Sequence, residues 1–174
     1  MKIFFLLTLS LFSLLNAIGV LDNIDAKSKT EIRLNEIGFL FQAYNLIPAL
    51  NVRENIAFIM KMQDIDDKII DSRVNELANI LQIEDKLDYL PSRLSGGQQQ
   101  RIAVARAVAS KPKIILADEP TANLDSKNSK ALMDMMRELN QKEKITIVFA
   151  THDEMVVNAV DKVIKLDNGK ILEL

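Results

Sequence analysis

Ile114-Ile115-Leu116-Ala117-Asp118-Glu119-Pro120 is the stretch that decides the fold. Its four apolar residues stand between Pro112 and Pro120, too few for a helix and rich enough for a strand buried on both faces. Two acids end the run. A second apolar segment, residues 145–150, ends in a similar way at Thr151-His152-Asp153. Between the two, Leu132, Met135, Met136 and Leu139 mark one face of a helix over residues 126–140. Strands alternating with helices imply an α/β protein whose parallel sheet is covered on both faces. Ligands of such open sheets bind beyond the carboxyl ends of the strands, so Asp118, Glu119, His152 and Asp153 are expected in one crevice. A buried strand ending in two acids suits Mg²⁺ held through one carboxylate while the other orients water. The competing reading is that one acid merely caps the following helix.

Upstream, Leu94-Ser95-Gly96-Gly97 leads into a helix reaching about Ala109, with Ile102, Ala105 and Val108 facing inward. The hydroxyl, the free backbone N–H groups and the helix N-terminus together suit an anion, although turns use Ser-Gly-Gly freely. Gln98, Gln99 and Gln100 read as a solvated helix face. Before this block come two consecutive helices with no strand between them, the pattern of a helical insertion. Asn51 and Glu54 form a capping-box variant opening the first, to about Met62. Ile70, Val74, Leu77 and Leu81 stripe the second, over residues 66–81. Ile37, Phe39 and Phe41 alternate as a strand ending near Gln42. The polar stretch 22–36 reads as a connector with at most one helical turn. At the other end, Asn168-Gly169 suits a type I′ turn between strands at 163–166 and 171–174.

Composition narrows the chemistry. With 174 residues the chain fits one domain. Zero Cys and a single His exclude a disulfide framework, a thiol nucleophile and a multi-histidine metal site. Lys and Arg total 22 against 24 Asp and Glu, so no basic field is available to hold nucleic acid. Residues 3–21 carry no charge. At about 1.5 Å per residue they are long enough to cross roughly 30 Å of bilayer, and they also resemble a secretory leader or a buried core helix.

The motifs, taken together, resemble one family. Leu94-Ser95-Gly96-Gly97-Gln98-Gln99-Gln100-Arg101 is similar to the signature motif of ATP-binding cassette (ABC) transporter ATPases. Residues 114–121 resemble their Walker B, Ala122-Asn123-Leu124-Asp125 their D-loop, Thr151-His152-Asp153 their switch histidine, and Phe41-Gln42 with Tyr44-Asn45-Leu46 their Q-loop. All five stand in the family's order between residues 36 and 174. The wording Asn45-Leu46-Ile47-Pro48 and that of 117–125 is most similar to the lipoprotein-release and macrolide-export branch. The resemblance implies a P-loop NTPase-like core with a helical subdomain at about 51–95, within a domain spanning 22–174 behind the hydrophobic segment 1–21. It implies Glu119 as general base, Asp118 and Gln42 at Mg²⁺, and His152 at the γ-phosphate of ATP. Ser95, Gly96, Gly97 and Gln98 would meet the nucleotide carried by a second ATP-binding subunit, with Asp125 at the seam. The other partner would be a membrane permease, placing the chain at the cytoplasmic face of the membrane.

Several family elements have no counterpart: the antiparallel strands and adenine-stacking aromatic that normally come first, and the Walker A loop. No G-x-x-x-x-G-K-[ST] pattern passes through any of the five glycines, and Leu7-Thr8-Leu9-Ser10-Leu11-Phe12 stands where the Walker A glycines and lysine belong. The helix that follows Walker A in the family is resembled by residues 13–22, which favours a packed helix over a leader. The expectation is therefore a truncated, degenerate ATPase subunit of an ABC transporter. Two alternatives stand beside it: a non-enzymatic module that donates its signature face to a complete ATPase, and a protein tethered to the membrane by residues 1–21.

Overall fold

A computed structural model of the protein describes residues 3–6, 25–167 and 170–173. Along the chain run β1 (Ile3–Leu6), α1 (Ala26–Glu36), β2 (Ile37–Leu40), α2 (Val52–Met62), α3 (Asp67–Leu81) and α4 (Gly96–Val108). Then come β3 (Ile114–Asp118), α5 (Ser126–Glu143), β4 (Thr146–Ala150), the single turn α6 (Glu154–Val157), β5 (Lys162–Asp167) and β6 (Lys170–Glu173). The six strands form one sheet in the order β2-β3-β4-β1-β5-β6. Pairing is parallel from β2 to β5, and the β5–β6 hairpin is antiparallel. The expected Asn168-Gly169 turn lies outside the described residues.

Both the strand pattern and the capping signals in the sequence act as anticipated. Ile115 and Ala117 are fully buried on one face of β3, in register with Ile147 and Phe149 of β4. That face packs under α2, α3, α4 and α5, whose stripes Ile56, Met60, Leu77, Leu81, Ile102 and Met136 are buried. On the opposite face Leu116 is surrounded by half-buried Phe39, Phe41 and Val148. Asn51 and Glu54 form the capping box of α2. Asn55, fully buried one turn later, clamps the preceding loop, accepting from Ile47 N and donating to the carbonyls of Ile47, Leu50 and Asn51.

Two expectations are corrected. The stretch 22–36 is no loose connector, because α1 occupies 26–36; Asp25 caps it by accepting from the backbone N–H of Lys27 and Ser28. An exposed polar helix carries little apolar periodicity, so its cap was the available signal. At the N-terminus, Ile3–Leu6 is a strand and not the start of a helix. It pairs in parallel with both β4 and β5, filling the gap between them. The residues Ile3, Phe4 and Phe5 favour a pleated surface, and inner strands on both sides offer hydrogen-bonding edges that need a partner. Residues 7–24, including the segment compared with the helix after Walker A, lie outside the described residues.

Within the helical layer, α3 is fastened to α4 and α5 by a buried cation. Arg73 of α3, only 6% exposed, donates to the carbonyls of Val108 and Ala109 at the end of α4 and pairs with Glu143 of α5 at 2.9 Å. It also pairs with Glu76 at 2.8 Å. The Arg73 and Lys142 partners hold the Glu76 carboxyl down at about 2.

Two outcomes follow from this packing. At Gly38 in β2 a Cβ would stand 2.2 Å from the backbone carbonyl oxygen of Ala107. Gly38→Ala is therefore expected to lower stability by about 1–3 kcal/mol in chemical denaturation; an unchanged midpoint would contradict the close approach. Glu76 has a depressed folded-state carboxyl, so its contribution is complete above 4.5 and is lost as pH falls through about 2. Glu76→Gln is expected to flatten the acid limb of the stability curve between those values. The effect is modest and salt-sensitive, since the Glu76 side chain is 40% exposed.

Candidate functional site

Parallel pairing of β3 with β4 sets Asp118 directly opposite Ala150, so the two loops that follow leave the sheet at the same height. Glu119 opens the first loop, and its N–H donates to the Ala150 carbonyl at 2.8 Å, extending the pairing by one residue. Its φ of 43° lies in the left-handed region, which costs a side-chain-bearing residue about 1–2 kcal/mol. That turn swings the carboxylate over the end of β4. There Oε1 sits 2.7 Å from His152 Nδ1, and Oε2 accepts from the hydroxyl of buried Thr151 at 2.8 Å. His152 itself is 74% exposed at its side chain, leaving the far edge of the ring to solvent.

The loops are latched a second time. Thr121, buried, donates its hydroxyl to Asp153 Oδ2 at 2.8 Å; Asp153 N–H in turn donates to Thr151 Oγ1 at 3.1 Å. Asp153 also caps α6 through Met155 N–H, so of the four residues expected in the crevice this one is a scaffold group. The capping alternative for Asp118 and Glu119 fails. α5 is capped by Asp125, whose two oxygens accept from the backbone and the side-chain N–H of Asn128. A cavity of about 390 Å³ opens beside the pair, lined in part by Glu119, Thr121, Ser129, His152 and Asp153.

Asp118 has a different character. Burial, reinforced by the adjacent Glu119 charge, pushes its carboxyl above the ordinary value, and no hydrogen bond reaches it among the described residues. A half-buried carboxylate without a protein donor is suited to a cation. Among the described residues no three acids or imidazoles gather into a metal cage. That donor set fits Mg²⁺, which keeps several waters and takes one or two carboxylates along with substrate phosphates.

The Q-loop residues lie nearby without closing on the acids. Gln42 is exposed, and its carbonyl accepts from Asn123 Nδ2 at 3.4 Å. Two and three residues on, Tyr44 and Asn45 are both left-handed, with φ of 60° and 49°. Their carbonyls are held by the half-buried side chain of Arg106 at 2.8 and 2.6 Å.

At the signature corner Ser95 is the N-cap of α4 and forms a capping box with Gln98. Ser95 and Gly96 are exposed, and a Cβ on Gly97 would meet nothing within 4 Å, so the corner faces outward. The solvated reading of the glutamines is corrected. Gln98 is taken by the cap, Gln99 donates to the carbonyls of Pro91 and Leu94, and Gln100 is buried and donates to the Pro120 carbonyl. Carbonyls within reach hold the amides of Gln99 and Gln100, and the Ser95 N–H holds that of Gln98, partners invisible in a polar run.

Functional groups that the sequence reading passed over are Thr121, Thr151, Gln100 and Arg106. For the two threonines the signal existed: a hydroxyl just beyond each buried strand, next to an acid. For Gln100 and Arg106 it did not, since their partners lie 20 and more than 60 residues away.

The family model described as "ABC transporter" matches residues 14–122. Among curated proteins, the probable sulfate/thiosulfate import ATP-binding protein CysA of Chlorella vulgaris is 44% identical over 87% of this chain and 65% of its own. The chain spans 41% to 65% of the length of such relatives. Of solved structures, the dimeric ATP-binding cassette MJ0796 in a post-hydrolysis state bound to ADP and Pi superposes with a TM-score of 0.80 at 33% identity, over 99% of this chain and 83% of that one. Clostridium perfringens cbiO1, part of the ABC transporter complex cbiONQ, superposes with a TM-score of 0.87 at 26% identity, over 99% and 76%.

The raised Asp118 carboxyl makes ionised Asp118 a folding cost that is complete above its folded-state value and absent below 3.8. Asp118→Asn is therefore expected to stabilise the metal-free chain at neutral pH, by less than about 1 kcal/mol because the group is partly solvated. Thermal unfolding without added divalent ions checks this; a lower midpoint would contradict it.

Proposed function

We propose, from the premise that this chain belongs to the ABC transporter ATP-binding family, that it is the ATP-handling subunit of a transporter whose cargo passes through a separate membrane permease. The observation that carries the reading is the Glu119–His152 contact of 2.7 Å at the ends of two adjacent strands, on a chain whose Ser95-Gly96-Gly97 corner faces outward. Glu119 is positioned to take a proton from water attacking a terminal phosphoryl group. His152 holds one Glu119 oxygen and presents its outer edge toward the phosphate side. Thr151 occupies the second oxygen, fixing the carboxylate's plane. Mg²⁺, when bound, neutralises phosphate charge and orients the phosphates, and Asp118 with Gln42 would hold it. Ser95, Gly96, Gly97 and Gln98 supply the hydroxyl and helix N-terminus that a phosphate borne by a second subunit would approach, with Asp125 at that seam.

Residues 51–95 serve as a helical subdomain of a single 22–174 unit, and the loop from Gln42 to Pro48 as its side toward the permease. Among the described residues no helix is long and apolar enough to cross a membrane. The reading places the chain peripherally at the cytoplasmic face. The wording of residues 45–48 and 117–125 supports the lipoprotein-release and macrolide-export branch.

This reading includes a weakened grip on nucleotide. Residues 7–12 bring neither a glycine nor a lysine to the segment after β1. Each charge-assisted hydrogen bond to a triphosphate is worth roughly 1.5–3 kcal/mol. Losing three weakens binding by about 10³-fold or more. The second reading, a non-catalytic module that lends its signature face to a complete ATPase, draws on the same observation.

Calorimetric titration of the purified chain with Mg-ATP tests the weakened site: the expected outcome is no micromolar binding, and micromolar affinity would overturn it. Mixed with a complete cassette that accepts it as partner, the chain separates the two readings. Glu119→Gln is expected to lower turnover at least about 10²-fold if this chain hydrolyses ATP. Unchanged turnover with Glu119→Gln, together with loss on Ser95→Arg, would favour the module.

A further inference from the structure

Gln100 stands in the second turn of α4, 4% exposed, and its Nε2 donates to the Pro120 carbonyl at 2.8 Å. Among the described residues no other hydrogen bond runs from α4 to residues 119–121. Pro120 follows Glu119, the left-handed residue whose backbone strain aims the carboxylate at His152. Pro120 has no N–H to anchor it, so its carbonyl is the polar handle by which that segment is held. Thr121, next in the chain, is latched to Asp153. The strained turn is thus pinned from two sides: from the β4 loop by Thr121, and from the signature helix by Gln100.

We propose that Gln100 is a positioning residue for Glu119: from the helix that begins at the Ser95–Gly97 corner, it holds the Pro120 carbonyl and with it the turn that keeps Glu119 against His152. The significance for turnover rests on the phosphate-handling role proposed above for that pair. Gln100 lies one turn beyond the corner on the same rigid helix. The device links two sites through one side chain, without contact between Gln100 and any reacting atom.

His152 is the single histidine of the chain, so its two ring nitrogens give one unambiguous pair of ¹⁵N signals in the labelled full-length protein, with no nucleotide added. Gln100→Met keeps volume and removes the donor. Its His152 signals are expected to move away from the wild-type positions in the direction produced by Glu119→Gln, which alters the same contact. Asn140→Leu is the control: Asn140, equally buried, donates to the Ile145 carbonyl at the opposite end of β4, and its loss is expected to lower stability and leave the His152 signals in place. Superimposable wild-type and Gln100→Met signals would overturn the proposal, as would equal shifts in Gln100→Met and Asn140→Leu. Should Gln100→Met fail to fold, Gln100→Asn, shortened by one methylene, is read by the same criteria. Unchanged turnover with Glu119→Gln in the mixed complex bears on the phosphate reading and leaves this nucleotide-free spectrum unaffected, so the two failures are distinguishable.

Discussion

The in-register parallel pairing of β3 with β4 is the constraint on which the site depends. It brings Asp118 and Ala150 abreast, and the Glu119 N–H continues the ladder by one bond before the chain turns away. A slip of one residue would point Ile115 and Ala117 at the opposite face and separate Glu119 from His152. The core that forbids this slip is apolar and continuous from β3 across α4 and α5. Burial far from the chemistry therefore sets a distance of 2.7 Å within it.

Around this frame the molecule spends polar groups to hold strained backbone. Glu119, Tyr44 and Asn45 are all left-handed, and each lies beside a carbonyl gripped by a side chain of α4: Gln100 at Pro120, Arg106 at Tyr44 and Asn45. Left-handed turns at residues bearing side chains persist only where their surroundings over-determine them. One helix fixes both loops and at its first turn carries the signature corner. Three motifs separated in sequence thus share one rigid support.

The electrostatics show the same division between support and chemistry. Arg73 is buried among carbonyls and two carboxylates, a satisfied arrangement that fastens α3 to α4 and α5. Asp118 is the opposite case, a half-buried carboxyl pushed upward with no protein donor at hand. A fold that satisfies its buried polar side chains elsewhere among the described residues, and leaves this one without a donor, keeps a local cost where the proposed chemistry needs a charge.

Much of this was legible in the chain. Two short apolar runs ending in acids and a histidine, striped helices between them, and the Asn51–Glu54 capping pair determine an α/β sheet with its polar groups at one rim, because periodicity and caps are local properties. The family resemblance rested on the same local words. Helix α1 was missed since a polar helix has no stripe, and β1 was missed since an apolar run suits strand and helix alike until its neighbours are known. Which glutamine is buried, which threonine orients Glu119, and which arginine holds the Q-loop were decided only by the tertiary structure. Those hydrogen bonds join residues that chain distance keeps apart, and only the closed sheet brings their donors and acceptors within 3 Å.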